Sequence, residues 1–117
     1  MTVHLLNSAV MPQSGHYQIW EIMPEVFADQ VQSALSHHEL RHYIGYKTTI
    51  TMLEALCDIS LGDINVDKTI LSDGDVFLVA RLKYRIAPDT KGRDRVNVRP
   101  MTPSDFAFYK GIYSVSK

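Results

Sequence analysis

The stretch Val76-Phe77-Leu78-Val79-Ala80-Arg81-Leu82-Lys83-Tyr84-Arg85-Ile86 follows the turn Ser72-Asp73-Gly74-Asp75 and reads as one long β-strand. Side chains on a strand alternate between faces, so Val76, Leu78, Ala80, Leu82, Tyr84 and Ile86 share one face. The other face carries Phe77 and Val79, then Arg81, Lys83 and Arg85. Residues two apart on a strand are separated by about 6.6–6.8 Å, close to the span between successive phosphates in a nucleotide chain. A row of two guanidiniums and an ammonium at that spacing is a candidate cradle for a phosphodiester backbone. The competing reading is a solvated face of an antiparallel strand.

Working outward, Ile64 to Leu71 alternates and meets the charged strand through Asp73-Gly74, which predicts a hairpin. Toward the C-terminus, residues 87–100 (APDTKGRDRVNVRP) are polar and carry the basic residues Lys91, Arg93, Arg95 and Arg99, as a loop or flap would. Thr102 to Asp105 reads as the start of a helical turn, and Tyr109 to Val115 as a closing strand. Toward the N-terminus, Val3 to Leu6 and His16 to Ile22 read as strands. Pro24 stands where a first helical position would be, and Phe27, Val31 and Leu35 recur at helical spacing, predicting an amphipathic helix through about Ser36. Leu40 to Gly45 is a short apolar segment. Thr48 or Thr49 can cap a second helix with Ile50, Leu53, Leu56 and Cys57 on its apolar face. These elements predict an α/β fold: one domain, 1–117, with a mixed sheet of about five strands and two main helices.

Composition narrows the function. Hydrophobic residues at 45% and charged residues at 21% are ordinary for a globular domain. No apolar run reaches the ~18 residues of a membrane span, and no secretory signal pattern opens the chain, so a cytoplasmic protein with no membrane partner is expected. The single cysteine, Cys57, excludes an internal disulfide or a multi-cysteine metal site. Net charge is −1, but residues 1–65 carry −5 and residues 66–117 carry +4. A basic second half on a near-neutral chain fits a small anionic ligand better than long duplex nucleic acid.

Two constellations carry chemistry. His38-Glu39-Leu40-Arg41-His42 matches the H-E-x-x-H pattern of zinc peptidases. The glycine at 45 argues against the helix this would need, and no third ligand stands at a familiar spacing, so a chance match and no metal are expected. The second is Ile44-Gly45-Tyr46-Lys47-Thr48-Thr49. Gly45 allows close approach of backbone to ligand, the following helix start offers free N–H groups and a positive dipole, and Lys47 and the Thr48 hydroxyl add donors. A plain strand-to-helix turn is the alternative. No nucleophile elbow and no glycine-rich phosphate loop is present.

Taken in order, Leu5-Leu6-Asn7-Ser8-Ala9-Val10, the Ile-Gly-x-x-x-Thr turn at Ile44 to Thr49, the helix to Cys57 and the strand ending in Arg85 resemble the viral ring nuclease family over about residues 3–86. The resemblance implies a small dimeric α/β protein of a virus, phage or mobile element. It also implies binding of cyclic tetra-adenylate, the messenger of type III CRISPR defence, in a cleft across the dimer. Cleavage of that ring would need neither metal nor cofactor and would act as an anti-CRISPR, anti-defence activity. On this resemblance Asn7 lies near the ligand with Ser8 beside it, Gly45 precedes the catalytic position, and Arg85 is a ligand-binding arginine. Three departures stand out. The family's general-acid histidine is here Tyr46, and its supporting glutamate aligns with about Pro88. The family's basic residue before the hairpin aligns with about Asn65.

A phenol with an unperturbed pKa near ~10 is a poor base at neutral pH, and loss of a good general acid costs about 10²–10⁴ in rate. The expected function is therefore binding of a cyclic oligonucleotide by a homodimer that sequesters the messenger or cleaves it slowly. Asn7, Ser8, Gly45, Tyr46, Lys47, Thr48, Arg81, Lys83 and Arg85 would line the ligand, with Tyr46 or His42 as candidate acid. The alternatives are an active ring nuclease with a shifted catalytic residue, and an interaction module whose basic loop 91–99 meets a macromolecule.

Overall fold

The apolar run from Val76 becomes the central strand of a mixed sheet. The computed structural model describes residues 2–8, 14–83 and 101–115. Its strands are β1 (Val3–Leu6), β2 (His16–Ile22), β3 (Leu40–Tyr43), β4 (Val76–Leu82) and β5 (Phe106–Ser114). The helices are α1 (Pro24–Ser36) and α2 (Lys47–Cys57), with a 3-10 turn at Pro103–Asp105. The five strands lie in the order β2-β5-β4-β1-β3. β1 runs parallel to β3 and β4, while β5 runs antiparallel to β4 and β2. The α/β class, the mixed five-stranded sheet and the two helices are as the sequence predicts.

Alternation along the strands divides the core into two layers. Leu5, Leu78, Ala80, Phe106 and Phe108 face the helices and pack against Phe27, Val31, Ile50, Leu53 and Cys57. Leu6, Phe77, Val79 and Tyr113 form a smaller cluster with Leu71 on the other face. Phe77 pairs across the ladder with Gly111, where a Cβ would overlap the Phe77 ring and leave it no room.

In α1, Phe27 and Val31 are buried as expected, but Ala34 is the third buried residue and Leu35 is 39% exposed. Seven residues bring a helix within about 20° of its starting direction, whereas eight leave it about 80° away. α2 begins at Lys47, and its N-cap is Tyr46 rather than a threonine. The main-chain N–H of Ile50 donates to the Tyr46 carbonyl at 3.1 Å and closes the first turn.

The predicted hairpin does not form. Both edges of β4 are occupied, by β1 and β5, so residues 64–71 have no free ladder to join. Val66 and Ile70 are instead 65% and 69% exposed. The segment follows the outer edge of β3, where the Asn65 N–H donates to the Ile44 carbonyl at 2.8 Å. The Asp73-Gly74 turn is present, with Gly74 at φ 84°. It ties to β5 through Gly74 N–H to Tyr113 O at 2.8 Å and Tyr113 N–H to Asp75 O at 3.0 Å. β4 ends at Leu82 and β5 starts three residues earlier than its alternation indicates, at Phe106 rather than Tyr109.

Candidate functional site

In open α/β sheets ligands bind beyond the carboxyl ends of the parallel strands, where loops diverge and helix N-termini point at the ligand. Here β1 and β3 end side by side at Leu6 and Tyr43, while β4 runs three residues past Val79, the partner of Leu6, to Leu82. Asn7 and Ser8 follow Leu6 directly, Ile44 and Gly45 follow Tyr43, and Arg81 stands two residues beyond Val79 on β4. The predicted residues Asn7, Ser8, Gly45, Tyr46, Lys47, Thr48 and Arg81 therefore gather at one end of the sheet, although they come from three distant parts of the chain.

Each side chain's setting follows from its element. Gly45 is buried under the β3–α2 turn, Tyr46 and Thr48 are half-buried, and Lys47 is exposed. α2 has no acidic residue in its first turn and no side-chain cap, so its positive end carries no opposing protein charge there. Arg81, exposed at the end of β4, donates from Nη2 to the Tyr109 hydroxyl at 3.0 Å, with its guanidinium 5.6 Å from the ring centroid. Tyr109 was missed by sequence reasoning. It meets Arg81 as a diagonal neighbour across β4 and β5, a relation that only the register of those strands supplies.

The charged row itself is divided. Lys83 lies one residue past β4, held by its N–H to the Asp105 carbonyl at 2.9 Å. It lines a depression of about 320 Å³ with Glu21, Pro24 and Ser104, which Arg81 does not share. Arg85 and the basic loop 91–99 lie outside the described residues.

His42, the second candidate acid, sits on β3 and is half-buried. Its Nε2 lies 3.0 Å from the Leu61 carbonyl, and its Nδ1 accepts the Ile44 N–H at 3.3 Å. Both ring nitrogens thus hold main chain around the β3–α2 turn. Asn65, where the resemblance places a basic residue, donates from Nδ2 to the His42 carbonyl at 3.0 Å. His38 lies in a turn with φ 58° while His42 is on a strand, so the H-E-x-x-H residues share no helical face. Among the described residues no cluster of three or more His, Cys, Asp or Glu side chains could hold a metal ion. Among them, too, no helix is long and apolar enough to cross a membrane.

Comparison with known proteins agrees with this architecture. The model of the STIV B116-like family matches residues 3–98. The solved structure of B116 of Sulfolobus turreted icosahedral virus is similar, with a TM-score of 0.75 at 18% identity, covering 95% of this chain and 98% of that one. At that identity the likeness establishes the fold. No match emerges among curated protein sequences.

Proposed function

This chain belongs to the STIV B116-like family, and we propose that it is a viral or mobile-element protein that binds a cyclic oligonucleotide of the cyclic oligoadenylate type. Sequestration or slow cleavage of that messenger would counteract host antiviral signalling. The observation that carries this reading is the gathering of Asn7, Ser8, Gly45 to Thr48 and Arg81 at the carboxyl ends of the parallel strands. A helix start and a lysine are suited to one phosphate, an arginine across β1 to another, and the half-buried Tyr46 ring to a base. A homodimer with its cleft on the two-fold axis would present this set twice and so surround a ring that one protomer of 117 residues could only flank.

Tyr46 distinguishes binding from turnover. A phenol at the position that resembles the family's general-acid histidine favours retention of the messenger over its rapid cleavage. The test is to incubate the purified protein with a panel of cyclic oligonucleotides, denature it by heat and analyse the released nucleotide. Intact cyclic oligoadenylate co-purifying with the protein is the expected result. Linear product would identify a ring nuclease, and no retained or altered nucleotide would refute the reading. Tyr46→Phe should bind and leave the ring intact, and Tyr46→Ala should weaken binding by about 1–3 kcal/mol if adenine stacks there.

A further inference from the structure

A second hollow, of about 730 Å³, lies between the β1–β3 pair and the segment that runs from Asn65 to Asp75. Its size falls within the range of about 300–1,000 Å³ typical of small-molecule sites. None of Asn7, Ser8, Gly45, Tyr46 or Arg81 lines it, whereas His42, whose ring nitrogens both engage main chain, does. Arg41 from β3 and Lys68 from the crossing segment do line it. Both are exposed, and neither makes a side-chain hydrogen bond or ion pair among the described residues.

Beneath these cations lies a buried pair. His4 is 3% exposed and Asp75 7%, and His4 Nε2 stands 2.8 Å from Asp75 Oδ2. That oxygen also accepts the Ser72 N–H at 2.9 Å. With Nε2 engaged by the carboxylate, Nδ1 is the ring nitrogen left over. Nδ1 is buried and without a hydrogen-bond partner. The ring is stacked on Tyr43, centroids 5.9 Å apart and planes at 23°. Buried polar atoms without partners are rare, and this one belongs to a residue that lines the cavity. Asp67 also lines the cavity, as does Asp75, whose carboxylate is engaged by the Ser72 N–H and the His4 ring.

We propose that this cavity is a second ligand site, taking a phosphomonoester the size of a mononucleotide. Its phosphate is held by Arg41 and Lys68. The half-buried Tyr43 ring offers aromatic surface to a base, and the Thr2 and Ser72 hydroxyls offer polar contacts to a sugar. The site stands apart from the strand-end residues, and its occupancy does not depend on their ligand.

Calorimetric titration of the full chain with adenosine 5′-monophosphate tests this, with inorganic phosphate and adenosine as separate arms. The monophosphate should bind more tightly than either fragment, and its addition should shift the His4 ring signals in ¹H–¹⁵N spectra. Arg41→Ala and Lys68→Ala should each weaken it about tenfold or more, since each removes a charge-assisted contact at a solvent-exposed position that folding does not need. Arg81→Ala should leave it unchanged. Inorganic phosphate binding as tightly as the nucleotide would reduce the site to an anion contact and overturn the proposal. So would absence of binding at millimolar nucleotide, or binding lost with Arg81→Ala but kept in both cavity variants. Failure of the strand-end reading shows itself separately, as loss of cyclic oligonucleotide retention with monophosphate binding intact.

Discussion

Asp75→Ala should destabilise the protein by about 3–5 kcal/mol, the usual cost of removing one partner from a buried, hydrogen-bonded charged site. The carboxylate accepts from the His4 ring at 2.8 Å and from the Ser72 N–H at 2.9 Å. Alanine would leave those donors stranded where β1 meets the turn into β4. A double-mutant cycle separates the pair from the rest. His4→Phe keeps a flat ring against Tyr43 but cannot donate, so urea unfolding of the two single variants and the double variant should give a His4–Asp75 coupling of about 1.5–3 kcal/mol. A coupling below about 0.5 kcal/mol would refute the assignment of a charge-assisted bond. Acid sensitivity gives an independent reading. Burial raises the Asp75 carboxyl pKa, but the Ser72 N–H, the hydrogen bond and charge of His4 and the Thr2 N–H outweigh it, and the net result lies below the ordinary 3.8. A carboxyl depressed on folding contributes stability that is present above its unfolded pKa of about 3.9 and is lost as pH falls through the lower folded value. Asp75→Asn should therefore lose less stability than wild type when pH is lowered below about 4.

Three further outcomes are expected. Gly111→Ala should cost about 1–3 kcal/mol in chemical denaturation, because the new methyl group must displace the Phe77 ring that occupies its place; an unchanged midpoint would show that the ring can move freely. Cys57 is fully buried and burial pushes its thiol up to about 11, so native protein at mildly alkaline pH should resist alkylation and unfolded protein should react, as intact-mass measurement will show. Arg81→Ala should weaken retention of cyclic tetra-adenylate by about 1.5–3 kcal/mol. Tyr109→Phe should weaken it less, since it removes only the hydroxyl that steadies the guanidinium; wild-type affinity in the Arg81 variant would remove the strand end from the site.

Several of the candidate site's residues could be named before the fold was known. The glycine-preceded helix start at Gly45 to Thr48 follows from local chemistry, because glycine punctuation and free helix N–H groups act within a few residues. Arg81 follows from the change from apolar to basic on one face of a strand. Their convergence with Asn7 and Ser8 was suggested only by resemblance, since nothing local to residues 3–8 says which strands flank β1. Tyr109 and the His4–Asp75 pair left no local signal, as their partners stand 28 and 71 residues away in sequence.

The sequence by itself determined the elements whose cause is periodic: the alternating strand from Val76, α1 from Pro24 to Ser36, and the α/β class. Burial of an apolar face at a period of two or of about 3.6 residues needs no knowledge of the partner. The tertiary structure alone decided which strands pair. Residues 64–71 alternate as a strand does, and the Asp73-Gly74 turn favours a hairpin, yet β1 and β5 occupy both edges of β4. Each strand has two edges, and the pairing that satisfies the most main-chain donors across the whole sheet prevails over the nearest in sequence. The resulting parallel order β4-β1-β3 gathers Asn7, Gly45 and Arg81 at one end, leaves 64–71 to cross β3, and opens the second cavity over His4.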